Sequence, residues 1–173
     1  EAYAGQLPPH MFPQWAFPPM AKALGAVPWP MTKILNQGCR LEVKAPLMMG
    51  EPLHVSAQVL SIQEDEFKAR ITTRVITGTA QSPEAIIADC YAVVPLAKKK
   101  VNVKREPPLG PAEARDIEQF SLTRRSGLDF ALLTGDFNLI HWVSWYARLA
   151  GFKTRILHGF ASMALSWEAI VRR

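Results

Sequence analysis

The sequence predicts an α+β fold, and three observations carry that expectation. Across residues 38–96, four runs alternate apolar and polar side chains and are separated by turn-forming residues. Ahead of them lies a segment rich in proline and aromatics, with room for a single helix. After a charged, proline-containing stretch, apolar segments return with helical rather than strand-like patterning.

Taken in order, the opening thirty residues read LPPHMFPQWAFPP and then VPWP, so only residues 15–26 suit a helix. Pro18 and Pro19 are expected in its first turn and Gly25 near its end. The run CRLEVKAPL is the first strand, and Met49-Gly50-Glu51-Pro52 is a turn after it. LHVSAQVLSI is the second strand, and Glu64-Asp65-Glu66 marks the next reversal. The third, FKARITTRVITGT, is long and β-branched. Its Lys68, Arg70, Thr72 and Arg74 share one face, and Ala69, Ile71, Thr73 and Val75 share the other. After Gln81-Ser82-Pro83, AIIADCYAVVPL supplies the fourth strand. Consecutive strands joined by tight turns predict an antiparallel meander with one wet face.

Residues 98–111, KKKVNVKREPPLGP, combine charge, prolines and a glycine, as a linker does. They separate a first unit, residues 1–97, from a second, residues 112–173. The second unit should open in extended form and then build short helices over 127–133 and 142–150, the latter closed by Gly151. Gly159–Val171 is apolar nearly all round, the mark of a buried helix. The two units also echo one another loosely: YAG…LPPHMFPQWAFPPMAKAL near the start parallels LLTGDFNLIHWVSW…HGFASMAL near the end.

A chain of 173 residues, 49% hydrophobic and 20% charged, has enough apolar material for a real core and is not a disordered segment. No apolar run is long enough to span a bilayer. Cys39 and Cys90 sit inside strand-like runs and read as reduced core residues. Their spacing does not point to a metal site, and the expected compartment is the cytoplasm. Much of the net charge of +5 falls in Lys98-Lys99-Lys100 with Lys104 and Arg105. That run is either a solvated linker or an edge that contacts the phosphates of a ligand. Nucleic acid is not the expected partner, because no stacking aromatics interleave the basic run.

The chemistry concentrates in residues 130–169. Asp136 and His141 stand five residues apart around Asn138, and His158-Gly159 opens the last apolar helix. A carboxylate and an imidazole held this close can share one water, taking a proton and later returning it. Gly159 would leave bare backbone N–H groups at a helix N-terminus, where developing negative charge is stabilised. Each residue also has a plainer role: Asp136 as a turn or cap, His141 on a helix, His158 packed at a helix start. Ser162 lacks the glycine-flanked elbow of a nucleophile and reads as core packing. His10 and His54 carry no assigned chemistry, and Gly50 and Gly78 read as turn or strand-end glycines.

The stretch GDFNLIHWVSWYARLAGFKTRILHG resembles the hydratase motif of MaoC-like dehydratases, the family of the (R)-specific enoyl-CoA hydratases. The matching positions are Gly135, Asp136, Asn138, Ile140, His141, Ala147, Gly151, Phe152, Ile156, His158 and Gly159. The pattern departs at Leu139, where the family usually has proline, and at Val143 and Ser144, where an acidic residue is common. The resemblance implies a hot-dog fold, an antiparallel sheet wrapped around a central helix. It further implies a double hot dog, with residues 1–97 as the non-catalytic repeat and residues 112–173 as the start of the catalytic one. On that scheme strands are missing after the last helix, and the fold appears incomplete at both ends.

The resemblance also implies the reaction. Asp136 and His141 would activate the water that adds to C3 of a trans-2-enoyl thioester, and one of them would return a proton to C2. Asn138 would orient the pair, and backbone N–H at Gly159 would hold the thioester oxygen as it becomes an enolate. The product would be a (3R)-3-hydroxyacyl thioester, or the reverse dehydration would run. Neither a metal nor a separate cofactor is expected; the substrate is an acyl-CoA or an acyl-carrier thioester. A homodimer or an internal pseudo-dimer of repeats is expected. Two rivals remain, a hot-dog thioesterase using Glu168 and an idle acyl-binding scaffold.

Overall fold

The computed structural model describes residues 3–96 and 116–172. The linker assigned to 98–111, with its basic run, lies outside the described residues. The first unit consists of α1 (Pro13–Leu24) followed by β1 (Leu35–Val43), β2 (His54–Glu64), β3 (Lys68–Gly78) and β4 (Ile86–Pro95). The second holds α2 (Ser126–Thr134), a 3-10 turn at Leu139–His141, α3 (Ser144–Leu149) and α4 (Gly159–Val171).

Among the described residues the four strands are antiparallel, but their spatial order is β1-β4-β3-β2, which corrects the simple meander. Only β2, β3 and β4 follow one another as hairpins. β1 pairs along β4 instead, with Cys39 opposite Cys90. The segment around Met49-Gly50 therefore crosses the end of the sheet rather than closing a hairpin. It is tied down by Leu47, 1% exposed, which packs with Ala85 and Ile86. Backbone bonds from Leu7 N–H to Leu47 O and from Met49 N–H to Gly5 O anchor it as well. Burying Leu47 there satisfies an apolar side chain that a tight β1–β2 hairpin would leave in water.

The two faces of β3 divide as the alternation requires. Ala69, Ile71, Thr73 and Val75 are buried, whereas Arg70 on the opposite face is exposed. Arg74 meets its cross-strand neighbour Asp89 in a bidentate pair, Nε to Oδ1 at 2.7 Å and Nη2 to Oδ2 at 2.8 Å. The β2–β3 reversal is fixed by Asp65, whose Oδ1 accepts from the N–H groups of Phe67 and Lys68.

Helix α1 lies against the buried face of this sheet. Phe12, Ala16 and Met20 form one core cluster with Val75, Ala88, Cys90 and Phe160. The helix starts at Pro13, so Pro18 and Pro19 lie in its interior rather than its first turn. Neither proline has an N–H to give to the preceding turn. The packing of Ala16 and Met20 supplies stability that helix propensity does not.

Helix α4 has the bounds that its apolar pattern predicts, but it is not buried all round. Phe160, Ala161 and Ala169 are buried, whereas Ile170 and Val171 are 62% and 42% exposed. The reason is one-sided packing: α4 meets β1 and the turn that precedes α1. Phe160 stacks edge-on against Phe12, with ring centroids 5.5 Å apart. Through that contact the first unit holds the helix that begins at Gly159.

Candidate active site

The site is built on the connection from α2 to α4. Gly135 ends α2 in the left-handed conformation, at φ 82°, and turns the chain so that Asp136 leaves the helix. Asn138 then caps the short turn that carries His141. Its Oδ1 accepts from Ile140 N–H at 3.4 Å, and its own N–H donates to Asp136 Oδ1 at 3.2 Å. Asn138 thus orients the carboxylate through its backbone and the histidine turn through its side chain.

His141 Nδ1 lies 2.9 Å from the Ile156 carbonyl. A carbonyl can only accept, so the proton sits on Nδ1 and Nε2 keeps its lone pair. By the same reasoning His158 donates from Nε2 to the Asp136 carbonyl at 3.0 Å. The His141 and His158 rings stack with centroids 3.6 Å apart, and Phe130 closes on His158 at 4.9 Å. One carboxylate or imidazole atom from each of Asp136, His141 and His158 falls within 4.8 Å of the other two. Burial holds both imidazoles below their ordinary pKa, and the nearby Asp136 only partly opposes this. The pair of histidines is therefore neutral near pH 7, and His141 presents a free base. The three residues could in principle ligate a metal. Their stacked, nearly parallel rings, 24° apart, send in-plane lone pairs side by side rather than toward one point.

A cavity of about 650 Å³ opens beside this group. Asp136, Asn138, His141 and Gly159 line one part of it, and Met20, Leu24, Ile34 and Cys90 of the first unit line another. The lining is mainly apolar, with Asn36, Gln37 and Thr73 adding polar groups from the first unit to Asp136 and His141. All four candidate site residues thus face one space. His158, weighed as a packed histidine at a helix start, is 1% exposed and fills that role while locking the Asp136 backbone.

Other assignments shift. Ser162 is exposed, not core, and donates its hydroxyl to the His158 carbonyl at 3.3 Å. The predicted helix over 142–150 is shorter: residues 139–141 form a 3-10 turn, and α3 begins only at Ser144. Capping by Asn138 tightens the turn that precedes it. His10 is buried at 3% exposure, with Nε2 3.1 Å from Glu168 Oε1. Glu168 also accepts from Tyr3 OH at 2.9 Å and from Arg172 Nε at 3.0 Å, and it does not line the cavity.

One contributor went unnoticed in the sequence. Gly127 lies in α2 where a Cβ would overlap the His141 carbonyl oxygen, so only glycine lets α2 approach the histidine turn. A glycine inside an apolar helical run, opposed to helix propensity, is the signal that could have found it.

Residues 110–173 match the family model of the MaoC like domain. The match spans the second part of the chain, less than half of its length. No curated protein matches the chain in sequence. Among solved structures, a MaoC-like dehydratase superposes with a TM-score of 0.78 at 18% identity, covering 96% of this chain and 63% of that one. HtdX from Mycobacterium tuberculosis gives 0.72 at 19% identity, covering 94% and 66%. The full-length peroxisomal multifunctional enzyme type 2 of Drosophila melanogaster gives 0.65 at 22% identity, covering 94% and 29%. The chain thus spans two thirds or less of the length of these structures. At such identities the likeness establishes the fold alone, an α+β hot-dog architecture.

Among the described residues, no helix is long and apolar enough to cross a membrane.

Proposed function

We propose that this chain carries the acid-base site of a hydratase that interconverts trans-2-enoyl thioesters and (3R)-3-hydroxyacyl thioesters. The observation that carries the reading is the convergence of Asp136, His141 and the N-terminus of α4 on one apolar cavity. A water held between the Asp136 carboxylate and the free Nε2 of His141 loses a proton to the pair as its oxygen attacks C3. The π electrons of the C2=C3 bond move toward the thioester carbonyl. The oxygen there gathers negative charge, which the Gly159 N–H stabilises. Collapse of the enolate takes the proton back at C2, so the dyad ends as it began. The proton economy is complete without a cofactor, because the thioester itself acidifies C2.

The acyl tail lies toward Met20 and Leu24, and the substrate is an acyl-CoA or an acyl-carrier thioester. We assign residues 1–97 to a non-catalytic repeat and 112–173 to the start of the catalytic one, working as a pseudo-dimer or a homodimer. The thioesterase alternative is disfavoured because Glu168 is engaged by Tyr3, His10 and Arg172 away from the cavity.

The test is hydration of crotonyl-CoA and longer trans-2-enoyl-CoA, followed as loss of the conjugated absorbance, with analysis of product configuration. Turnover that drops at least ~10²-fold in Asp136→Asn and His141→Ala supports the reading. Release of free CoA instead identifies a thioesterase, and binding without turnover identifies a scaffold; either outcome overturns it.

A further inference from the structure

We propose that Asn36, on β1 of the first unit, supplies a second hydrogen-bond donor to the enolate oxygen, so that the oxyanion site is shared between the two halves of the chain. This rests on the hydratase reading and deepens it.

The strand is irregular just where it reaches the site. Pairing with β4 runs Asn36 to Ala92 and Gly38 to Tyr91, leaving Gln37 as an extra residue, and Gly38 takes a φ of 125°. A bulge of this kind re-aims the side chain beside it. The Asn36 amide is fixed by it: Oδ1 accepts from Gly38 N–H at 2.6 Å. That bond settles which end of the amide is oxygen, because a backbone N–H needs an acceptor. Nδ2, with its two protons, is therefore the end left to donate.

Nδ2 stands at the first residue of α4. A Cβ placed on Gly159 would lie 3.3 Å from Nδ2 and 3.1 Å from Cγ, tighter than an ordinary side-chain contact. Gly159 has no left-handed backbone to explain it; the nearness of the Asn36 amide does. Asn36, Gly159, Asp136 and His141 all line the same cavity. No side chain caps the N-terminus of α4. The uncapped start of α4 and the Asn36 amide thus border one cavity. No proton passes through Asn36. Its N–H and that of Gly159 both point to the oxygen that gains charge as the C3–O bond forms, and both release it when C2 is protonated.

The experiment uses the full-length protein with crotonyl-CoA. Asn36→Asp keeps the acceptor for Gly38 and removes the donor; Asn36→Ala removes the donor without adding charge. Both should lower kcat by about 10²-fold with KM changed only a few-fold, the signature of a contact made in the transition state. Tm should stay at the wild-type value in Asn36→Asp, and Asn36→Gln should recover part of the lost kcat. Wild-type kcat in both variants overturns the assignment while leaving the hydratase reading intact. So does a loss that tracks a fall in Tm, which would make Asn36 a structural part of the bulge. A wild-type protein that does not hydrate enoyl thioesters fails the underlying reading, and the assignment falls with it.

Discussion

Gly127→Ala offers a sharp test of how the fold positions the base. The substitution adds one methyl group where α2 approaches the backbone of the His141 turn, and that methyl would overlap the His141 carbonyl oxygen. Restoring an ordinary contact of ~3.5 Å requires α2 and the turn to separate by on the order of 1 Å. Two effects on stability oppose each other. Alanine gains about 1 kcal/mol of helix propensity over glycine, while overpacking typically costs about 1–3 kcal/mol. The net change should be a modest loss, visible as a Tm lower by only a few degrees. The kinetic effect is larger, because His141 Nε2 moves relative to Asp136 while the Nδ1 bond to Ile156 is stretched. A misplacement of that size costs roughly 10²-fold in rate, about 2.7 kcal/mol of transition-state stabilisation. Steady-state hydration of crotonyl-CoA, with thermal melts on the same samples, measures both. Wild-type kcat/KM in a folded Gly127→Ala protein would refute the claim that this helix approach sets the histidine's place.

Further outcomes follow from the same geometry. Burial lowers the pKa values of His141 and His158, so the unfolded chain binds protons that the folded one refuses. Stability should therefore be full above about pH 6.5 and decline as pH falls from there through the lower folded values, measured by denaturant midpoints across pH. The acid limb of kcat/KM should lie below pH 6.5 for the same reason and disappear in His141→Ala, leaving only residual rate. Phe12→Ala empties a fully buried position and removes the edge-on partner of Phe160, for a loss of about 3–5 kcal/mol in chemical denaturation. Leu24→Trp fills the apolar part of the cavity and should lower kcat/KM for long-chain enoyl-CoA while sparing crotonyl-CoA; an equal effect on both would remove the tail from that region.

Much of the architecture could be read from pattern. The alternation of β3 sorts its faces correctly because a strand's side chains have no choice but to alternate. α4 keeps its bounds because a glycine start and a largely apolar run, broken only by Ser162, Ser166 and Glu168, favour one helix. Two long-range choices were not readable. β1 could have paired with β2 or β4, and the pairing with β4 goes with a crossing segment held by the burial of its Leu47 and by backbone bonds to Gly5 and Leu7. Pro18 and Pro19 argue locally for a helix start, yet tertiary packing of Ala16 and Met20 carries the helix through them.

The candidate site divides the same way. Asp136, Asn138 and His141 lie close in sequence, and their residue types and spacing make them candidates for an acid-base pair, with turn and capping roles left open beside it. Local chemistry carries that much, because turn and cap residues act within a few positions, whereas Gly159 stands eighteen residues beyond His141. The sequence by itself could not choose the tautomer of His141, set by a carbonyl fifteen residues away at Ile156. Nor could it show that Gly127 admits the histidine turn, or that Asn36, from the other unit, reaches Gly159. Those depend on contacts between segments far apart in the chain, and only the packed tertiary structure sets such distances.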